Sequence, residues 1–192
     1  MQLIIISGKI GSGKSTLSKC FQKKDYHYIS SDILAKNIIQ NNRNIIDKLN
    51  KEFNVLDSKE IISLKKLKTI FLSSEEEKKK INSIIHPFFY EELNLMLGKS
   101  NSSKVVLELP LIETYRDIKY NAKIVTAKTK LEIRKKRYLI KAGSKEKDFL
   151  ILNRYQKSSE YYEKYSDYVI SNNDTIEILQ TKFSKLYSEL KE

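Results

Sequence analysis

Apolar residues along this chain fall into two patterns. Short apolar runs stand at Leu3–Ser7, Tyr26–Ser30, Lys104–Leu109, Lys123–Ala127 and Tyr168–Ser171. Several, such as Val105-Val106-Leu107, show no polar alternation, as strands covered on both faces should not. Between them lie stretches with apolar residues at helical spacing: Leu131-Ile133 onward to Leu139-Ile140, and Ile176, Leu179, Phe183, Leu186 and Leu190. Strand–helix alternation predicts an α/β fold in which a five-stranded parallel sheet is flanked by helices. Ligands of such sheets bind beyond the carboxyl ends of the strands. That directs attention to Ser30–Asp32, Glu108–Pro110 and the residues after Ala127.

The alternation is interrupted twice. Residues 33–103 are nearly all helical in pattern and far longer than a crossover needs, which predicts an inserted helical subdomain. Asn101-Ser102-Ser103, after Gly98, is its expected joint. Within it, His86-Pro87 separates Lys80–Ile85 from Phe88–Leu97, and the residue before a proline is pushed out of helix, so His86 is expected at a kink or boundary. The second interruption is Ala142-Gly143-Ser144, which breaks a basic helix and makes about 131–160 a candidate lid. The core is then about 1–32, 104–130 and 165–192 of one domain.

The first strand runs straight into Gly-Lys-Ile-Gly-Ser-Gly-Lys-Ser at 8–15, the G-x-x-x-x-G-K-[ST] phosphate loop in its strand–loop–helix setting. Gly8, Gly11 and Gly13 let the backbone fold tightly round a phosphate, and the helix expected from about Lys14 adds its N–H groups and dipole. Lys14 would reach the β- and γ-phosphates and the Ser15 hydroxyl would ligate Mg²⁺, brought in with ATP. Ser12 and Thr16 complete the expected nucleotide-binding set.

Composition changes this picture little. The net charge of +12 is spread along all 192 residues, and without a basic block or stripe it is weak evidence for nucleic acid. Lys78-Lys79-Lys80 follows Glu75-Glu76-Glu77 and reads as a solvated helix face. The single cysteine, Cys20, excludes an internal disulfide and reads as a small buried residue. With neither a signal peptide nor a membrane span in the pattern, the expected location is cytoplasmic. No His/Cys/Asp cluster has metal-ligand spacing.

Asp32, just past the second strand, has two readings. It is a base or metal-water ligand, or Ser31 or Asp32 is the N-cap of a helix over Ile33–Ile39. Arg134, Lys135, Lys136, Arg137 and Lys141 crowd one helix. They are either a solvated face or the cations of a closing lid, with Arg137 and Lys141 sharing an i, i+4 face. Arg154 is a weaker candidate. Glu108 either assists the Mg²⁺ shell or belongs to an architectural turn with Pro110. Tyr161, Tyr162 and Tyr165 are read as packing residues, and a lone His86 as structural.

The phosphate loop, Ile29–Asp32, Ile85-His86-Pro87, Leu109-Pro110-Leu111, the basic helix and Asp167-Tyr168-Val169-Ile170-Ser171-Asn172-Asn173 occur in one order that resembles the dephospho-CoA kinase family end to end. The loop is common to many kinases. The His-Pro and the Asp-x-Val-Ile-x-Asn are more particular. The resemblance implies transfer of the ATP γ-phosphoryl group to the ribose 3′-hydroxyl of dephospho-CoA. It implies that Asp32 is the general base and Arg137 the first lid arginine, with Lys141 in place of the second. It also implies that His86 and Pro110 lie on the acceptor side and Asn172 near the adenine. Three positions depart from the family pattern. Ser30 replaces an Asp, Lys141 lacks the planar fork of Arg, and the acid Glu113 falls one position early.

Overall fold

In the computed structural model, residues 1–141 and 143–190 are described, with the Arg116 side chain excepted; Ala142 of the expected lid break and the terminal Lys191 and Glu192 lie outside them. The strands are β1 Gln2–Ser7, β2 His27–Ser30, β3 Lys104–Glu108, β4 Ala122–Lys128 and β5 Tyr168–Ser171. They form one parallel sheet in the order β2-β3-β1-β4-β5. The longest apolar runs fall on inner strands of that order. Leu3–Ile6 of central β1 and Val105–Leu107 of β3 are all buried, as strands covered on both faces must be.

The chain forms two compact units: residues Met1–Ser30 with Asn101–Glu192, and Ser31–Ser100. In the first, α1 (Lys14–Gln22) buries Leu17 and Phe21. The Phe21 ring meets Phe183 edge-on at 4.9 Å between centroids and Tyr26 at 5.2 Å, a geometry aromatic rings favour. Cys20 is buried with its thiol reduced.

In the second unit the helices are α2 (Ser31–Asn41), α3 (Arg43–Phe53), α4 (Leu64–Phe71) and α5 (Glu75–Lys99). Here the structure corrects two expectations. The helix after β2 starts at Ser31, which puts Asp32 inside its first turn, where a carboxylate suits the helix dipole. Neither residue precedes the helix as a cap. The α5 helix also runs unbroken through His86-Pro87. Interior proline costs about 3 kcal/mol. Against this, Ile81, Ile85, Phe89, Leu93 and Leu97 make one buried i, i+4 stripe, each side chain worth roughly 1.5–3 kcal/mol. The stripe wins.

The remaining helices belong to the first unit: α6 (Leu131–Leu139), α7 (Glu146–Tyr155), α8 (Ser159–Lys164) and α9 (Ile176–Glu189), with a 3-10 helix at Ile112–Asp117. Among the described residues no helix is long and apolar enough to cross a membrane.

Candidate active site

The loop after β1 requires glycine for steric reasons. Gly11 has φ +77°, and a Cβ there would press into the backbone of Arg134 on α6. Gly13 starts α1 from a left-handed conformation and offers it no side-chain cap. The place at the helix start that a cap oxygen would fill is thereby left to an anion. Lys14 lies over the loop, its Nζ 3.5 Å from the Lys9 carbonyl.

Beside that helix start stands a carboxylate. Glu108, at the end of β3 and 6% exposed, accepts from Ser15 Oγ at 2.9 Å and from the Tyr28 hydroxyl at 2.6 Å. In the β2–β3 register Ser30 stands opposite Glu108. A hydroxyl and a carboxylate are hard oxygen donors, the set that Mg²⁺ takes.

The far wall is built from β4 and β5. Thr129, one residue past β4, lies 3.0 Å from the Ser12 carbonyl and 3.1 Å from that of Asn172. Asn172 Nδ2 donates to the Ser12 carbonyl at 2.8 Å. Arg137 donates to the carbonyls of Asn172 (2.9 Å) and Asp174 (3.4 Å). Asn172 thus ties the phosphate loop to the α6 arginine.

Arg134 holds the loop from beneath. It is 5% exposed and donates to the carbonyls of Thr129 (3.1 Å) and Ile10 (3.3 Å) and to Asn153 Oδ1 on α7 (2.8 Å). Gln156, at the end of α7, accepts from the Ile10 N–H at 2.7 Å. Both polar backbone atoms of Ile10 are therefore held by the α6–α7 segment. Sequence reasoning missed Thr129, Asn153 and Gln156, which carry no motif, and it did not separate Arg134 from its basic neighbours.

Lys141 falls outside this arrangement. The α6 helix ends at Leu139, and the Lys141 N–H bonds three residues back to Tyr138 rather than continuing the helix. Arg137 and Lys141 thus do not share one helix face, and Lys141 is exposed. Arg154 on α7 is exposed as well. The Pro110 carbonyl accepts from the Tyr162 hydroxyl at 2.8 Å, and burial pushes that phenol well above its ordinary range. Tyr161 and Tyr165 pack together at 4.5 Å. Asp32 and His86 belong to the Ser31–Ser100 unit, where the His86 ring meets Tyr90 edge-on at 5.9 Å.

The family model for dephospho-CoA kinase matches residues 2–177. A dephospho-CoA kinase from Aquifex aeolicus is 30% identical, over 99% of this chain and 98% of its own length. Among solved structures, a protein from Thermus thermophilus superposes with a TM-score of 0.79 at 24% identity, covering 98% of this chain and 97% of its own. A dephospho-CoA kinase from Campylobacter jejuni does so with 0.68 at 23%, covering 99% and 98%. With an uncapped helix start after a phosphate loop, a carboxylate against Ser15 and a family match over nearly its whole length, the chain belongs to the dephospho-CoA kinase family, ATP-dependent phosphotransferases that work with a divalent metal ion.

Proposed function

We propose that this protein moves the γ-phosphoryl group of ATP to the ribose 3′-hydroxyl of dephospho-CoA, with the polyphosphate held by Gly8, Gly11, Ser12, Gly13, Lys14, Ser15 and Thr16. The observation that carries the reading is the Ser15–Glu108 contact at the uncapped start of α1. A Mg²⁺ brought in with the triphosphate would be held directly by the Ser15 hydroxyl, with the Glu108 carboxylate supporting it. When bound, Mg²⁺ neutralises charge on the phosphoryl oxygens.

Phosphoryl transfer needs positioning and charge stabilisation more than covalent chemistry. Lys14 supplies a point charge to the β- and γ-phosphates. Arg137 stabilises the group in flight by giving up its long bond to the Asp174 carbonyl. Asp32 accepts the proton of the acceptor hydroxyl. Asn172 sits at the adenine, and His86, Pro110 and Lys141 contact the acceptor. The core is about 1–32, 104–130 and 165–192, the acceptor-binding insertion about 33–103 and the lid about 131–160. The reading makes ATP and dephospho-CoA the partners, with no nucleic acid, in the cytoplasm. Asp32→Asn tests the assignment: turnover should fall by roughly 10²–10⁴-fold while ATP affinity, read by titration calorimetry, stays near that of the parent. Full turnover in that variant would remove Asp32 from the base role.

A further inference from the structure

The basic stretch Arg134–Arg137 contains one residue whose position the phosphate contacts above do not explain. Arg134 is buried, yet every hydrogen-bond acceptor it has among the described residues is neutral: two backbone carbonyls and the Asn153 amide. Its guanidinium lies 5.9 Å over the Phe149 ring. Glu132 acts on it only through space, and Glu163, in the wall of the small cavity that Arg134 also lines, is paired with Lys128 at 2.9 Å. Lys9 of the loop is itself partly buried, and its charge is disfavoured first by burial and then by repulsion from Arg134, with Glu160 acting against both. A buried charge is normally retained only with an opposite charge beside it. Among the described residues no carboxylate bonds Arg134, and its contacts run to Thr129, just past β4, and to Ile10 on the underside of the loop.

We propose that Arg134 is a positioning residue whose permanent charge, held beneath the phosphate loop, is balanced by the polyphosphate of the nucleotide. The inference rests on the reading of Gly8–Ser15 as the triphosphate site. The cost of burying the guanidinium falls on the free protein and is recovered when the anion binds, so the residue trades stability for nucleotide affinity.

Arg134→Gln keeps a hydrogen-bonding amide without the charge, and Arg134→Lys keeps the charge without the fork. Calorimetric titration with Mg²⁺-ATP, and thermal unfolding with and without it, separate the alternatives. The glutamine variant should bind ATP on the order of tenfold more weakly, with a correspondingly smaller rise in melting temperature on adding nucleotide. The lysine variant should restore most of the affinity. A glutamine variant that binds as tightly as the parent overturns the proposal, and so does a lysine variant no better than the glutamine one. Failure of the parent itself to bind ATP would instead overturn the triphosphate reading of the loop.

Discussion

Replacing Gly11 by Ala tests the geometry of the loop most sharply, because two costs fall on one methyl group. At φ +77° a residue with a Cβ takes a left-handed conformation, at about 1–2 kcal/mol. The new methyl would also meet the carbonyl oxygen, carbonyl carbon and Cα of Arg134, none of which is the far end of a flexible side chain. That backbone is fixed by its helix bond to Lys130 and by the buried guanidinium, so moving it costs about 1–3 kcal/mol, as overpacking does. Together these give roughly 2–5 kcal/mol, a fall in melting temperature of roughly 4–20 °C for a chain of this size. Gly143→Ala is the internal control. Its φ is +72°, but a Cβ there meets nothing within 4 Å, so only the conformational cost applies, roughly 2–8 °C. Thermal unfolding followed by far-UV circular dichroism reads both, and ATP titration should show affinity lost in the Gly11 variant alone. Equal melting shifts in the two variants would refute the contact with α6.

Tyr28→Phe removes one of the two hydroxyls holding Glu108. The Mn²⁺ affinity of the ADP complex, read by electron paramagnetic resonance, should fall on the order of tenfold. ADP affinity in chelator should be unchanged, and unaltered Mn²⁺ binding would count against Glu108 as the supporting carboxylate. Burial, and then Glu113, raise the Tyr162 phenol above its ordinary 10.0. The folded protein therefore favours the neutral phenol. That contribution is intact below pH 10 and is lost as pH rises past it. Urea unfolding of Tyr162→Phe should accordingly depend less steeply on pH above 10 than the parent, and parallel slopes would sink the assignment.

The inner strands of the sheet were legible because they are buried on both faces. Runs such as Leu3-Ile4-Ile5-Ile6 leave no other use for so many consecutive apolar residues. The phosphate loop was legible because its constraint is local, eight residues carrying their own conformational demands. Contacts distant in sequence were not. Arg134 and Lys136 look alike in a basic stretch, but the helical period turns one beneath the loop and leaves the other exposed. Gln156 reaches Ile10 across 146 positions, and no spacing rule links them. Pro87 misled because its local preference is real but small beside the stripe from Ile81 to Leu97. The expected shared face of Arg137 and Lys141 misled because α6 closes at Leu139, before the glycine that marks the break.

The central claim is that the loop, Glu108 and the rest of this site serve one acceptor. Purified protein with ATP, Mg²⁺ and dephospho-CoA, set beside shikimate, nucleosides and nucleotides as competing acceptors, tests it by mass spectrometry of the products. The account predicts coenzyme A, phosphorylated at the ribose 3′ position, as the dominant product and its loss in Asp32→Asn. ATP consumed while dephospho-CoA stays unmodified, or preferential phosphorylation of another acceptor, would contradict it.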